Sequence, residues 1–384
     1  MKSYQLATFL TIVLTIYSAV NYYIFIRGWQ ALPGNNLIKS IYSIVFAGLF
    51  LSYILSRVIE RFGLTELSIA LNWIGSFWLA AMLYFILFLV LADLLRVINH
   101  FFHYFPSFIT SDWQKTKLIY LCVAFFSTLI IIVAGFINDM NPRLKTLDIS
   151  IDKPSKVKKL KIVMASDIHI GAIISNGRVK RLVDEINAQN PDLVLFPGDI
   201  LDEDVSLVRK RMSGEPMKKI ISQLGVYAVP GNHEYIGGFD SASNYIESLG
   251  IKILRDKYLL IGESFYLVGR DDRSRNQFSG GKRSELSALL SGVDKKMPII
   301  MMDHQPFALQ EAVNAGIDLQ LSGHTHNGQM WPFNYIAEKI YEVSWGYKKK
   351  GNTQFYVSSG YGSWGPPVRT GNYPELVVLN VNFR

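Results

Sequence analysis

The chain has 384 residues, with 39 Lys+Arg against 31 Asp+Glu, 49% hydrophobic residues and one cysteine. This composition excludes a disordered, collagen-like or disulfide-stapled chain. Mean hydropathy is positive and only 18% of residues are charged, so part of the chain is built for an apolar solvent. Residues 1–138 hold 8 basic and 4 acidic groups, 139–161 hold 7 and 3, and 162–384 hold 24 and 24. A nucleic-acid binder would concentrate its positive charge on the folded domain that makes the contacts, so no nucleic-acid partner is expected.

Four charge-free stretches, 3–26, 40–56, 67–92 and 118–138, can each cross a hydrocarbon core of about 30 Å as a helix. The first is too long for a cleaved signal peptide and lacks a short apolar core followed by small residues. Residues 1–138 therefore read as an all-α transmembrane region with four spans. Aromatic residues crowd the joints, as interfacial belts require: Tyr22, Tyr23 and Trp29 after the first span, and Phe101, Phe102, Tyr104, Phe105, Phe108 and Trp113 before the fourth. His100 and His103 read as interfacial histidines, because no carboxylate or thiol there completes a ligand set. Cys122 reads as an inert packed thiol. Glu60, Glu66, Asp93 and Asp112 lie outside the charge-free stretches, which argues for anchoring and against coupled transport.

An even number of spans puts the tail, the second loop and the segment after span four on one side. That side holds Lys2, Arg57, Arg61 and seven basic residues from Arg143 to Lys161, against Arg27, Lys39, Arg96, Lys115 and Lys117 opposite. The bias predicts a multi-pass integral membrane protein whose soluble domain is cytoplasmic.

Residues 139–159 form a basic juxtamembrane linker with a first strand leading into the domain. Its run from Lys153 to Lys161 reads either as a solvated linker or as a patch facing anionic lipid at about 1 kcal/mol per charge. Residues 160–384 change character. Short β-rich runs at 160–165, 193–196, 226–229, 298–302, 319–321, 355–358 and 376–381 alternate with helical periods such as 177–188, where Val179, Leu182, Val183 and Ile186 share a face. The alternation predicts an α/β domain with its sites at the carboxyl ends of the strands.

The polar residues gather at those ends. Asp167 and His169 follow the first run, Gly198-Asp199 and Asp202 the second, and Gly231-Asn232-His233-Glu234 the third. Asp303-His304 and Gly323-His324-Thr325-His326 follow the next two, and these motifs hold all five histidines of the soluble part. Taken singly, each is an ordinary turn or cap. Together they supply the mixed nitrogen and oxygen donors, without thiolate, that two divalent cations need.

These motifs, in this order, resemble the calcineurin-like metallophosphoesterase superfamily. The stretches around Asp303-His304-Gln305-Pro306 and Ser363-Trp364-Gly365-Pro366-Pro367 resemble its bacterial membrane-associated branch. The resemblance covers about residues 143–384 and implies a layered α/β sandwich with a dinuclear metal site. It places Asp167, His169 and His326 on one metal, Asn232, His304 and His324 on the other, and Asp199 between them. The resemblance leaves His233 as a non-ligand that protonates the leaving oxygen or steadies the phosphoryl charge, with Asp202 orienting its ring. The metals are manganese, iron or zinc, with manganese favoured, and the reaction is attack of metal-held hydroxide on a phosphodiester or pyrophosphate.

Glu234 reads as a loop-bracing residue. The segment from Arg270 to Arg275 reads as a solvated charge run in preference to a phosphate-binding loop, and Trp331, Trp345, Trp364 and Arg369 read as core packing in preference to an apolar rim. The whole-chain reading is a membrane-anchored phosphoesterase whose substrate is a phosphate ester, with a lipid favoured over a soluble nucleotide or phosphoprotein. A catalytically dead scaffold would have lost a ligand, and none is missing.

Overall fold

The computed structural model describes residues 3–202 and 205–384, so Lys2, one of the positive charges weighed above, lies outside the described residues. The chain divides into two compact units, 1–136 with 365–368, and 137–364 with 369–384.

The first unit is built from α1 (Ser3–Ala31), α2 (Asn36–Glu60), α3 (Thr65–Phe102) and most of α4 (Trp113–Asp139), each long and apolar enough to cross a membrane. The helices outrun the charge-free stretches because charged side chains near their ends find partners or reach for water without breaking the helix. Asp93, inside α3, is met by Arg27 and by the Tyr23 hydroxyl at 2.5 Å, both from α1. The core packs Ile24, Phe46, Trp78, Ala81 and Met82, and the Trp78 indole donates to Asn21 Oδ1 at 2.9 Å. Large aliphatic side chains such as Ile16, Ile44 and Ile130 point outward, as they do where the solvent is lipid. Cys122 is among the exposed residues, contrary to the packed thiol expected, because α4 is apolar around its whole girth and burial of any one position is not required.

In α2 and α3 the backbones themselves touch. A Cβ built on Gly75 would lie 2.6 Å from the nitrogen and Cα of Tyr53. Gly75→Leu should force the two helices apart and lower the thermal unfolding midpoint in detergent, with overpacking costing at least about 1–3 kcal/mol. An unchanged midpoint would refute this close approach.

Among its described residues the second unit holds twelve strands in two sheets. The first sheet runs β1 (Arg143–Ile151), β12 (Glu375–Phe383), β2 (Lys159–Met164), β3 (Leu193–Pro197), β4 (Val226–Val229), β5 (Lys252–Ile253). The second runs β10 (Gly346–Lys350), β11 (Thr353–Val357), β9 (Leu319–Ser322), β8 (Ile299–Met302), β7 (Phe265–Gly269), β6 (Lys257–Ile261). The central pairings β2 to β5 and β7, β8, β9, β11 are parallel. The period of two explains why these strands read as unbroken apolar runs: Ile162 and Met164 face the opposite sheet, while Val163 and Ala165 face helices. Helices α5 (Asn176–Ala188), α6 (Val205–Lys210) and α7 (Phe239–Ser248) cover the first sheet with Val179, Leu182, Val183, Ile186, Val208, Tyr245 and Ile246. Leu286, Leu289, Leu309 and Ala312 cover the second. The fold is the α/β domain that the alternation predicts, in the layered sandwich form that the resemblance implies.

The antiparallel edges were not visible in the sequence. Strand β10 is largely lysine, which blunts it as a sheet edge and hides it among charge runs in the sequence, whereas β6 carries one lysine and an exposed apolar run from Tyr258 to Leu260. Lys153 leaves the solvated run to pair with the largely buried Asp318 at 2.7 Å, whereas Lys156, Lys158 and Lys159 stay exposed, Lys156 in a surface pair with Glu263.

Candidate metal centre

All five motifs lie at carboxyl ends of parallel strands, where the backbone is free to turn sharply. Asp167, His169, Asp199, His324 and His326 have φ values of 53°, 54°, 52°, 72° and 43°. Side chains other than glycine adopt this left-handed conformation at a cost of about 1–2 kcal/mol each, so five together mark a site over-determined by its surroundings. Two glycines are required by crowding: a Cβ on Gly231 would fall on the Asp199 carboxylate, and one on Gly323 on Ser166 and Asp167.

The structure brings Asp167, His169, Asp199, Asn232, His233, His304, His324 and His326 together, with Asp202 beside them. Donor atoms of Asp167, His169 and His326, of His169, Asp199 and His233, and of Asp199, His304 and His324 lie within 4.8 Å of one another in three overlapping groups. Asp167 accepts the His324 N–H through both oxygens, at 2.9 and 3.0 Å. Asp199 accepts the His233 N–H at 2.9 Å with one oxygen and lies 3.1 Å from His304 Nε2 with the other. His304 Nδ1 is 2.7 Å from the Pro197 carbonyl, so that nitrogen carries a proton, and Nε2 lies 3.3 Å from Asn232 Oδ1; burial would lower this imidazole, but the Asp199 carboxylate outweighs it and holds it well above the usual range.

The electrostatics fit cations. His169 and His326 face each other through Nε2 at 3.1 Å, an approach of two ring nitrogens beside Asp167 that a cation between them satisfies. Burial, then the neighbouring His304, pushes the His324 imidazole down to about 3, and burial holds His326 well below the usual imidazole range. Both rings keep free lone pairs at neutral pH. Burial would raise the Asp199 carboxyl, but His304 and His233 outweigh it and hold it well below the usual range. The donor set, imidazole with carboxylate and carboxamide and no thiolate, fits two divalent cations of the manganese, iron or zinc kind.

Asp202 meets His233 with its backbone as well as its side chain. Its carbonyl faces His233 Nδ1, while its carboxylate stands 3.5 Å from both His233 Nδ1 and His169 Nδ1. The chain at 201–202 bonds to Ile170, and that turns the carbonyl inward.

The Arg270–Arg275 segment is not a solvated run. Arg270, Asp271 and Asp272 are buried, with Arg270 on Glu311 at 2.9 Å, Arg275 on Asp271 at 3.0 Å, and Asp272 accepting Gln305 Nε2 at 2.9 and 3.0 Å. Asp272 thereby braces the residue that follows His304. Trp331 and Trp364 are exposed, not packed in the core, whereas Trp345 turns inward to Glu375 and Arg369 is buried.

Arg369 reaches the site from behind, its Nη2 3.3 Å from His326 Nδ1 and its Nη1 donating to the Ser359 carbonyl at 2.8 Å. Buried Asp139 stands 3.5 Å from its Nε and accepts Arg178 Nη1 at 2.6 Å. Sequence reasoning assigned no role to Asp139 or Arg178; a lone aspartate closing an apolar stretch was the available signal.

Over the donors opens a cavity of about 390 Å³. His169, Asp199, Asn232, His233, His324 and His326 line one side, and Phe333, Ile336, Ala337, Ile340, Tyr341 and Trp364 the other.

Glu234 is the brace expected: its carboxylate accepts the N–H groups of Asp199, Leu201 and Gly231 at 3.1, 3.0 and 2.8 Å. Glu234→Gln would turn an amide NH₂ toward those donors, and chemical denaturation should show a loss of about 1–3 kcal/mol per group left unmet. Wild-type stability in this variant would refute the brace.

Comparison with known proteins gives the following. The calcineurin-like phosphoesterase family matches residues 160–328. An uncharacterized metallophosphoesterase of Helicobacter pylori strain J99 is 34% identical over 253 residues, 64% of this chain and 66% of that protein. A Danio rerio transmembrane protein with metallophosphoesterase domain is 31% identical over 67% of this chain and 61% of its own length. The chain thus spans just under two thirds of these relatives. An uncharacterized metallophosphoesterase of Campylobacter jejuni is 28% identical over 96% of this chain and 97% of its own.

Proposed function

Residues 160–328 belong to the calcineurin-like phosphoesterases, and we propose from that premise that the chain is a membrane-anchored, two-metal hydrolase of phosphodiester or pyrophosphate bonds. The supporting observation is that the donor groups overlap on His169 and Asp199, each of which serves two of them. Asp167, His169 and His326 would hold one cation, Asn232, His304 and His324 the other, and Asp199 both. When bound, the cations supply a nucleophile from water at neutral pH and neutralise the phosphoryl charge. Manganese is favoured over iron and zinc for the carboxylate and carboxamide oxygens.

His233 handles the proton. Its Nδ1 faces the Asp202 carbonyl and so carries hydrogen, which leaves Nε2 to give a proton to the leaving oxygen. The Asp202 carboxylate, 3.5 Å away, stabilises the imidazolium. Asp199 holds the His233 backbone N–H, so the group that would share the cations also positions the acid.

The substrate favoured is lipid-linked, because an enzyme confined with its substrate in two dimensions meets it at raised effective concentration. The catalytic domain faces the cytoplasm, with Arg57, Arg61 and the Arg143–Lys161 basic residues on that side. A reporter fused after Arg384 that works only outside the cytoplasm should be silent; its activity would overturn the orientation.

Plasma mass spectrometry of the purified protein should find about two transition metals per chain. His233→Ala should keep both metals while kcat on bis-p-nitrophenyl phosphate falls about 10²–10⁴-fold, whereas Asp199→Asn should lose metal and activity together. Full activity of Asp199→Asn would sink the two-metal reading.

A further inference from the structure

The cavity over the metal donors is two-faced, and the second face is built by α8 (Phe333–Ile340). Ala337 is the buried residue of this helix, while Phe333, Ile336 and Ile340 line the cavity and remain 40%, 53% and 58% exposed. Trp364, on the same wall, is 59% exposed. Large apolar side chains left in water beside a reacting centre are a feature that small charged esters would not use. The wall begins close to the chemistry: the Trp364 ring lies 6.3 Å from His233 and the Tyr341 ring 6.2 Å from His324. A molecule with its phosphorus at the donors would have its next few bonds running along Ile336 and Ile340. The cavity therefore matches a ligand polar at one end and hydrocarbon at the other.

We infer that α8 and Trp364 form the seat for an alkyl or prenyl chain carried by the substrate near its scissile phosphate. This rests on the phosphoesterase reading above and deepens it, by naming the residues that would choose an amphiphilic ester over a soluble one. Chain binding along Ile336 and Ile340 buries apolar surface in proportion to chain length, so catalytic efficiency rises with each methylene until the wall is covered.

The test uses the full chain in nanodiscs, loaded with Mn²⁺, and p-nitrophenyl alkyl phosphodiesters with methyl, butyl and octyl groups. kcat/KM should rise at least tenfold from methyl to octyl, mainly through KM. Ile336→Ser with Ile340→Ser should flatten that rise to less than twofold. Both residues are exposed, so the fold should survive, and circular dichroism checks that it does. Ile221→Ser, 73% exposed and outside the cavity lining, controls for the loss of an exposed isoleucine as such and should keep the wild-type slope. Hydrolysis of the methyl ester with no chain-length dependence, or a slope unaltered by the double substitution, would overturn the seat and leave the phosphoesterase standing. Failure to hydrolyse any ester, methyl included, would overturn the phosphoesterase reading, and the seat with it.

Discussion

Asp167 and Asp199 are buried, and a carboxylate removed from water has to be met by donors or positive charge before the chain around it can settle. Here the obligation is met by backbone N–H groups from the neighbouring motifs and by imidazoles arriving from strand ends far apart in sequence. His324 comes from 157 residues away to bond Asp167, and His304 from β8 to face Asp199. The five strand ends converge because no single segment can neutralise either aspartate. Divalent cations would complete the same balance, because the imidazoles gathered to satisfy the aspartates, and the carboxylates themselves, are also metal donors.

That convergence leaves no room for ordinary backbone. Five of the donor residues sit in the left-handed region, and Gly231 and Gly323 are small because the aspartates already occupy the space where a Cβ would be. The strain is held by braces that do not themselves touch the cavity. Glu234 takes three backbone N–H groups and stitches the ends of β3 and β4 together, while Asp272 holds Gln305. Arg369, held by Asp139, Ser359 and Asn372, stands behind His326. Each brace is a buried charge whose partners lie on other loops, so the loops cannot drift independently.

The cavity joins two solvents. Its polar side is built by buried strand-end residues, whose positions are determined by sheet register. Its apolar side is a helix docked mainly through Ala337, with its large side chains left outside. The polar and apolar linings thus come from different elements, strand ends on one hand and the helix 333–340 with Trp364 on the other.

The sequence by itself determined the four apolar helices, the α/β alternation and the residue types at the strand ends. Spans are legible because lipid tolerates few charges over 20 residues, and central strands because burial on both faces leaves unbroken apolar runs. Motif chemistry is legible because histidine and aspartate are rarely gathered at strand ends without cause. Only the tertiary structure decided that the Asp202 carbonyl faces His233 Nδ1, that Arg270 to Asp272 are buried, and that Asp139, Arg178 and Arg369 form one network. It alone showed which tryptophans stay exposed and which face of α8 lines the cavity. The reason is the same in each case: the partner lies far along the chain, and no local pattern of residues records which distant atom will arrive beside it.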